Sequence, residues 1–129
     1  MFGWLHRKKS PEPLVGAPST SRLKTYSAQS GYVYQYFYRG RRPARGEYVF
    51  EIARTTKAPI SVSVFLQPES ILSWERGHGR ELTPTEHYAA AKMALFQAFD
   101  ERESPAEMAR PVHVRPADLE AILETLGLD

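Results

Sequence analysis

Four arginines fall within seven residues of this 129-residue chain: Arg39, Arg41, Arg42 and Arg45. A guanidinium presents planar, paired donors that match phosphate and carboxylate. Tyrosines flank the group and could stack bases, as aromatic rings do in single-strand binders. The cluster is therefore a candidate contact for an anion, for RNA or for DNA. The plainer alternative is a solvated loop tip whose charges keep a strand edge from pairing. A basic patch by itself supplies only non-specific affinity.

The remaining reactive side chains are scattered. Lys92 falls between Phe96 and Phe99 on a helical wheel, on an otherwise apolar face. A buried lysine has its charge disfavoured and can serve as a base or Schiff-base amine. A lysine at the rim of such a face instead buries its stem and keeps its ammonium in water. His78, Glu81, His87 and His113 could converge on a metal, but no HExxH and no close His pair occurs. Arg76-Gly77-His78-Gly79-Arg80 leads into a helix start, where anions are favoured, without the spacing of a phosphate loop or dinucleotide fingerprint. There is no GxSxG. The chain has no cysteine, which excludes disulfides and thiolate sites and fits a reducing compartment. No metal and no cofactor is expected.

The arginines need a scaffold, and the alternation around them supplies one. Tyr32, Tyr34, Tyr36 and Tyr38 fall on one side of a first strand; Val33, Gln35, Phe37 and Arg39 fall on the other. Gly40 and Gly46 bracket the tip, and Pro43 stops either strand from running through it. A second strand puts Tyr48, Phe50 and Ile52 on one face; a third, SVSVFL, does the same with Val62, Val64 and Leu66. Aligning the even-numbered positions gathers these into one core face. The opposite face is mixed, and Val33, Phe37, Val49 and Phe65 form an apolar strip on it. That strip is a second candidate site, for a protein partner, for a second copy, or for the final helix.

Pro68 starts a short helix through Ile71, Leu72 and Trp74 that ends at Gly77. Thr83-Pro84-Thr85-Glu86 is a capping box with proline at the first helical position. The helix it opens runs to about Arg102, with Tyr88, Ala91, Leu95, Phe96 and Phe99 toward the sheet and Glu86, Ala90, Gln97 and Glu101 opposite. Val112 and Val114 mark a short fourth strand. Pro116 opens a last helix whose Leu119, Ile122, Leu123 and Leu126 form a stripe ending at Gly127. Val62-x-Val64 before Pro68 is echoed by Val112-x-Val114 before Pro116, with different spacing.

The Ala89–Phe99 helix, AAAKMALFQAF, with Gly77 and Gly79 before it, resembles the last helix of double-stranded-RNA-binding domains. That family clamps phosphates with a Lys-rich helix start. Here Thr83, Pro84, Thr85, Glu86 and His87 stand in that place, and the family's first helix has no counterpart. Its RNA contacts are not carried over.

Residues 1–27 show no sustained period and read as a flexible basic tail; residues 28–129 read as a single α+β domain. Phe2, Trp4 and Leu5, followed by His6, Arg7, Lys8 and Lys9, could touch an anionic membrane surface. Residues 1–60 hold 11 Lys and Arg against 3 Asp and Glu, a net +8, and the rest of the chain carries −6. No run of apolar residues is long enough to span a membrane, and a cytoplasmic location is expected. The expected fold is an antiparallel sheet of three to four strands in β-β-β-α-β-α order, with a long helix packed on one face and a disordered N-terminal tail. The expected function is a non-enzymatic binding or interaction module. Nucleic-acid binding through the arginine tip comes second, and a small enzyme using Lys92 third.

Overall fold

A computed structural model of the chain describes residues 12–18 and 22–128. Five strands run in the order of the sequence: β1 (Lys24–Ser27), β2 (Val33–Arg42), β3 (Glu47–Ile52), β4 (Ile60–Leu66) and β5 (Val112–Val114). Three helices accompany them: α1 (Pro68–His78), α2 (Pro84–Glu101) and α3 (Pro116–Thr125). The α+β class stands, but the sheet is larger and mixed. β1 to β4 are antiparallel neighbours, and β5 lies parallel to β4, Val64 facing Val112 and Leu66 facing Val114. Parallel neighbours need a crossover of a dozen or more residues, and α1 with α2 supplies it.

The even-position register is observed. Tyr36 pairs with Ile52, Tyr38 with Phe50, Phe50 with Val62 and Tyr48 with Val64. Tyr34 and Tyr36 are buried against α2, where Tyr34 stacks on Phe99 with ring centroids 4.2 Å apart. Tyr32 departs from the expectation: β2 begins at Val33, and Tyr32 sits exposed in the preceding turn. The even face of the sheet and the inner faces of all three helices make one core.

Three further expectations are corrected. The Lys24–Ser27 part of the presumed tail is an edge strand, because Tyr26 stacks on Phe96 (4.4 Å) and its hydroxyl donates to Asp100 (2.7 Å). Val15 also bridges Arg41 through paired backbone hydrogen bonds of 2.9 Å, an isolated bridge that ties this part of the presumed tail to β2. The first helix ends at Gly79, which takes the left-handed conformation (φ 68°), and not at Gly77, which continues the helix. Ala90 is fully buried and not on an exposed face. The leucine stripe of α3 packs toward α1 and α2, which makes a second helical surface of α2 part of the core. The short side chains of Ala90, Ala94 and Ala98 allow close approach there.

The capping box is present: Thr83 Oγ1 accepts from the Glu86 N–H (3.2 Å), and Glu86 accepts from the Thr83 N–H (2.9 Å). Among the described residues no helix is long and apolar enough to cross a membrane. The membrane-touching reading of Phe2, Trp4, Leu5, His6, Arg7, Lys8 and Lys9 falls outside the described residues.

Candidate functional site

A local irregularity in β2 decides which arginine is available. Tyr38 pairs with Phe50, but Gly40, not Arg39, pairs with Val49, so one residue is extra on β2. Such a bulge reverses the facing of everything beyond it. Arg39 stays on the outer face and reaches Glu51 at 3.6 Å. Arg42 is also outer, opposite Glu47. Arg41 is turned to the helix side, opposite Tyr48. The bulge needs a glycine. Gly40 has φ 130°, and a Cβ there would lie 2.9 Å from the Val15 carbonyl oxygen.

The four arginines therefore do not form one cationic patch. Glu47 is 5% exposed and takes two of them, Arg42 at 3.3 Å and Arg45 at 3.9 Å, and it also accepts from the Ser63 hydroxyl. Arg42 additionally donates to the Glu12 carbonyl (2.7 Å). A buried carboxylate needs such compensation. Among the described residues Arg41 alone of the four has no ion-pair partner.

Arg41 stands at the junction of two concavities. The larger, of about 470 Å³, lies between the β2–β3 tip, the end of β4, α1 and the start of α2. Its walls are mostly apolar: Tyr48, Leu66, Pro68, Ile71, Leu72 and Pro84. Leu72 is 54% exposed, an apolar side chain left uncovered at the rim. The smaller concavity continues past Arg41 between Tyr38, Tyr48, Thr85 and Tyr88. Gly46 lets the tip close on β4. Its φ is 64°, its carbonyl accepts from the Leu66 N–H (2.7 Å), and a Cβ there would fall 1.8 Å from the Leu66 oxygen.

Burial sets the protonation of the polar groups around Arg41. Tyr38 is pushed up to about 12 by desolvation, with Tyr48 adding to the shift and Arg41 opposing it. Tyr48 is raised for the same leading reason, again opposed by Arg41. Both phenols are thus protonated donors at neutral pH. His87 is pulled below its ordinary value by burial; Glu75 opposes the shift and Arg41 reinforces it. The imidazole is neutral at neutral pH. Its Nε2 is buried with no hydrogen-bond partner among the described residues. Glu75 is engaged, accepting from the Leu82 N–H at 2.7 Å.

The other predicted residues lie elsewhere. On the outer sheet face Val33 is 62% exposed, but Val49 is only 6% exposed. Leu14 comes within 3.4 Å of the point a Gly40 Cβ would occupy, beside the cross-strand position of Val49. Phe65 is half-buried and stacked on His113 (5.1 Å), and Phe37 lies under the Arg39 guanidinium (5.8 Å). The strip is therefore broken up rather than continuous, and α3 does not cover it. Lys92 is half-buried, with its ammonium 5.7 Å from the Phe96 ring centroid, and burial and Lys24 lower its pKa. It is not among the residues lining the cleft. His78 stacks on Trp74 (4.1 Å) and reaches Glu120 (2.8 Å), far from any joint action with His87 and His113. Among the described residues no three His, Asp or Glu side chains gather as metal ligands.

Sequence reasoning named Arg41 but missed its setting, and it missed Tyr48, Glu75 and the cleft role of His87 altogether. The one legible signal was Gly40 directly before Arg41, a glycine inside a strand pattern, which marks a bulge. No known family model, curated protein or solved structure matches the chain.

Proposed function

We propose that the protein is a small non-enzymatic binding module whose ligand occupies the cleft between the β2–β3 tip and the two helices that follow β4. The observation that carries this reading is a mostly apolar concavity of about 470 Å³ with a guanidinium at its edge that has no ion-pair partner among the described residues. Small-molecule sites commonly measure about 300–1,000 Å³ and combine apolar walls with a few placed polar groups. The ion pairs of Arg39, Arg42 and Arg45 favour this reading over nucleic-acid binding, which draws its affinity from cations free to meet phosphate.

The test is a fragment screen followed by amide-proton NMR on the whole chain. Hits are expected to move the amides of Gly46, Leu66, Leu72 and His87 together. An absence of hits at millimolar concentration, or hits confined to the outer sheet face, removes the cleft as the site. Salt-sensitive binding of single-stranded RNA that vanishes in the Arg39→Ala/Arg42→Ala/Arg45→Ala triple variant would put nucleic-acid recognition in its place.

A further inference from the structure

The charge state of the cleft selects among ligands. Its two carboxylates are already engaged: Glu47 is held by Arg42 and Ser63, and Glu75 by the Leu82 N–H. Arg41 is the one cationic side chain lining either concavity, has no ion-pair partner among the described residues, and lies where the two meet. The Tyr38 and Tyr48 hydroxyls are close enough to feel its charge, and among the described residues neither has a hydrogen-bond partner. A guanidinium, which has no acceptor, beside two phenol hydroxyls that can both donate suits an oxyanion. Beyond it the walls offer Leu66, Ile71, Leu72 and Pro84, with the Glu75 carboxylate turned to the Leu82 N–H. One cation calls for one negative charge, because a second would be desolvated without a partner.

We propose that the cleft takes an apolar monocarboxylate, its carboxylate on Arg41 and the hydroxyls of Tyr38 and Tyr48 and its apolar body along Leu66, Ile71, Leu72 and Pro84; this rests on the cleft being the protein's binding site. The head group is then fixed by charge-assisted hydrogen bonds, and the body is held by surface removed from water. The Leu72 side chain, exposed in the free protein, becomes covered.

The test titrates the whole chain with three probes of one chain length: octanoate, octanol and octyltrimethylammonium. Octanoate is expected to bind at the cleft, octanol at least about tenfold more weakly, and the cation more weakly still. Arg41→Ala should weaken octanoate about ten- to a hundredfold and leave octanol unchanged, since a hydrogen bond to a charged group is lost. Tyr48→Phe keeps the ring and should weaken octanoate about three- to tenfold, which preserves the test if Arg41→Ala fails to fold. Octanol binding as tightly as octanoate, or octanoate affinity unchanged in both variants, overturns the head-group assignment while leaving the cleft as a binding site. Failure of all three probes, with fragment hits at the cleft, also overturns it. Failure of the probes and of the fragment screen together removes both.

Discussion

Replacing glycine by alanine at two positions should have opposite effects, and the signs follow from geometry. Gly46 is left-handed (φ 64°), and its added Cβ would sit 1.8 Å from the Leu66 carbonyl oxygen. Forcing alanine into that conformation costs about 1–2 kcal/mol. The clash must also move the tip off β4, which breaks the 2.7 Å bond from Leu66 N–H to Gly46 O. That hydrogen bond contributes about 1 kcal/mol net. Gly46→Ala should therefore destabilise by about 2–4 kcal/mol. Gly77 lies inside α1, has no positive φ, and has nothing within 4 Å of its would-be Cβ. Gly77→Ala should stabilise by about 0.5–1 kcal/mol through the helix preference of alanine. For a chain of this size 1 kcal/mol moves Tm by about 3–5 °C. Urea and thermal denaturation of both variants against wild type measure the two shifts. A Gly46→Ala variant within about 0.5 kcal/mol of wild type would refute the close tip–β4 approach that shapes the cleft. A destabilised Gly77→Ala variant would instead mark Gly77 as the helix stop.

Three further outcomes follow from individual side chains. Arg42→Ala leaves the buried Glu47 carboxylate with the longer Arg45 contact as its one ion pair, beside the Ser63 hydroxyl, and equilibrium unfolding should show a loss of about 2–4 kcal/mol; Arg39→Ala, whose pair is more exposed, should lose no more than about 1 kcal/mol. Tyr34→Phe removes a buried hydroxyl with no partner among the described residues, so the same measurement should show a variant as stable as wild type or up to about 1 kcal/mol more stable. His87 has a folded pKa below its ordinary 6.5, so below pH 6.5 the unfolded chain binds more protons than the folded one. Stability should then fall as pH drops from 6.5 toward the folded value, and Tm against pH should be flatter in His87→Gln; parallel curves would show that His87 is not the group responsible.

Much of the fold was legible because local rules and tertiary packing agree over most of the chain. The capping box at Thr83, the tyrosine alternation and the proline-started helices each have a short-range cause. The echo of Val62-x-Val64-to-Pro68 in Val112-x-Val114-to-Pro116 also has a structural counterpart: both strands lie side by side in parallel, and each feeds a helix opened by proline. The edge strand at Lys24–Ser27 was not legible. Four residues are too few to show a period, and what fixes them is the reach of Tyr26 to Phe96 and Asp100, 70 and 74 residues away.

The sequence by itself determined which residues could form the strands and where α2 starts; it placed four arginines at a hairpin tip, whereas Arg39, Arg41 and Arg42 lie within β2 and only Arg45 is in the turn. It could not rank the four arginines, because a strand's facing is read by counting in twos and one extra residue reverses the count. The bulge at Arg39–Gly40 sends Arg41 to the helix side while Arg39 and Arg42 remain opposite Glu51 and Glu47. Likewise, nothing local brings Tyr48, Ile71, Glu75 and His87 together. They come from β3, α1 and α2, and only the packing of those elements around the hairpin tip makes a cleft of them, with Arg41 at its edge.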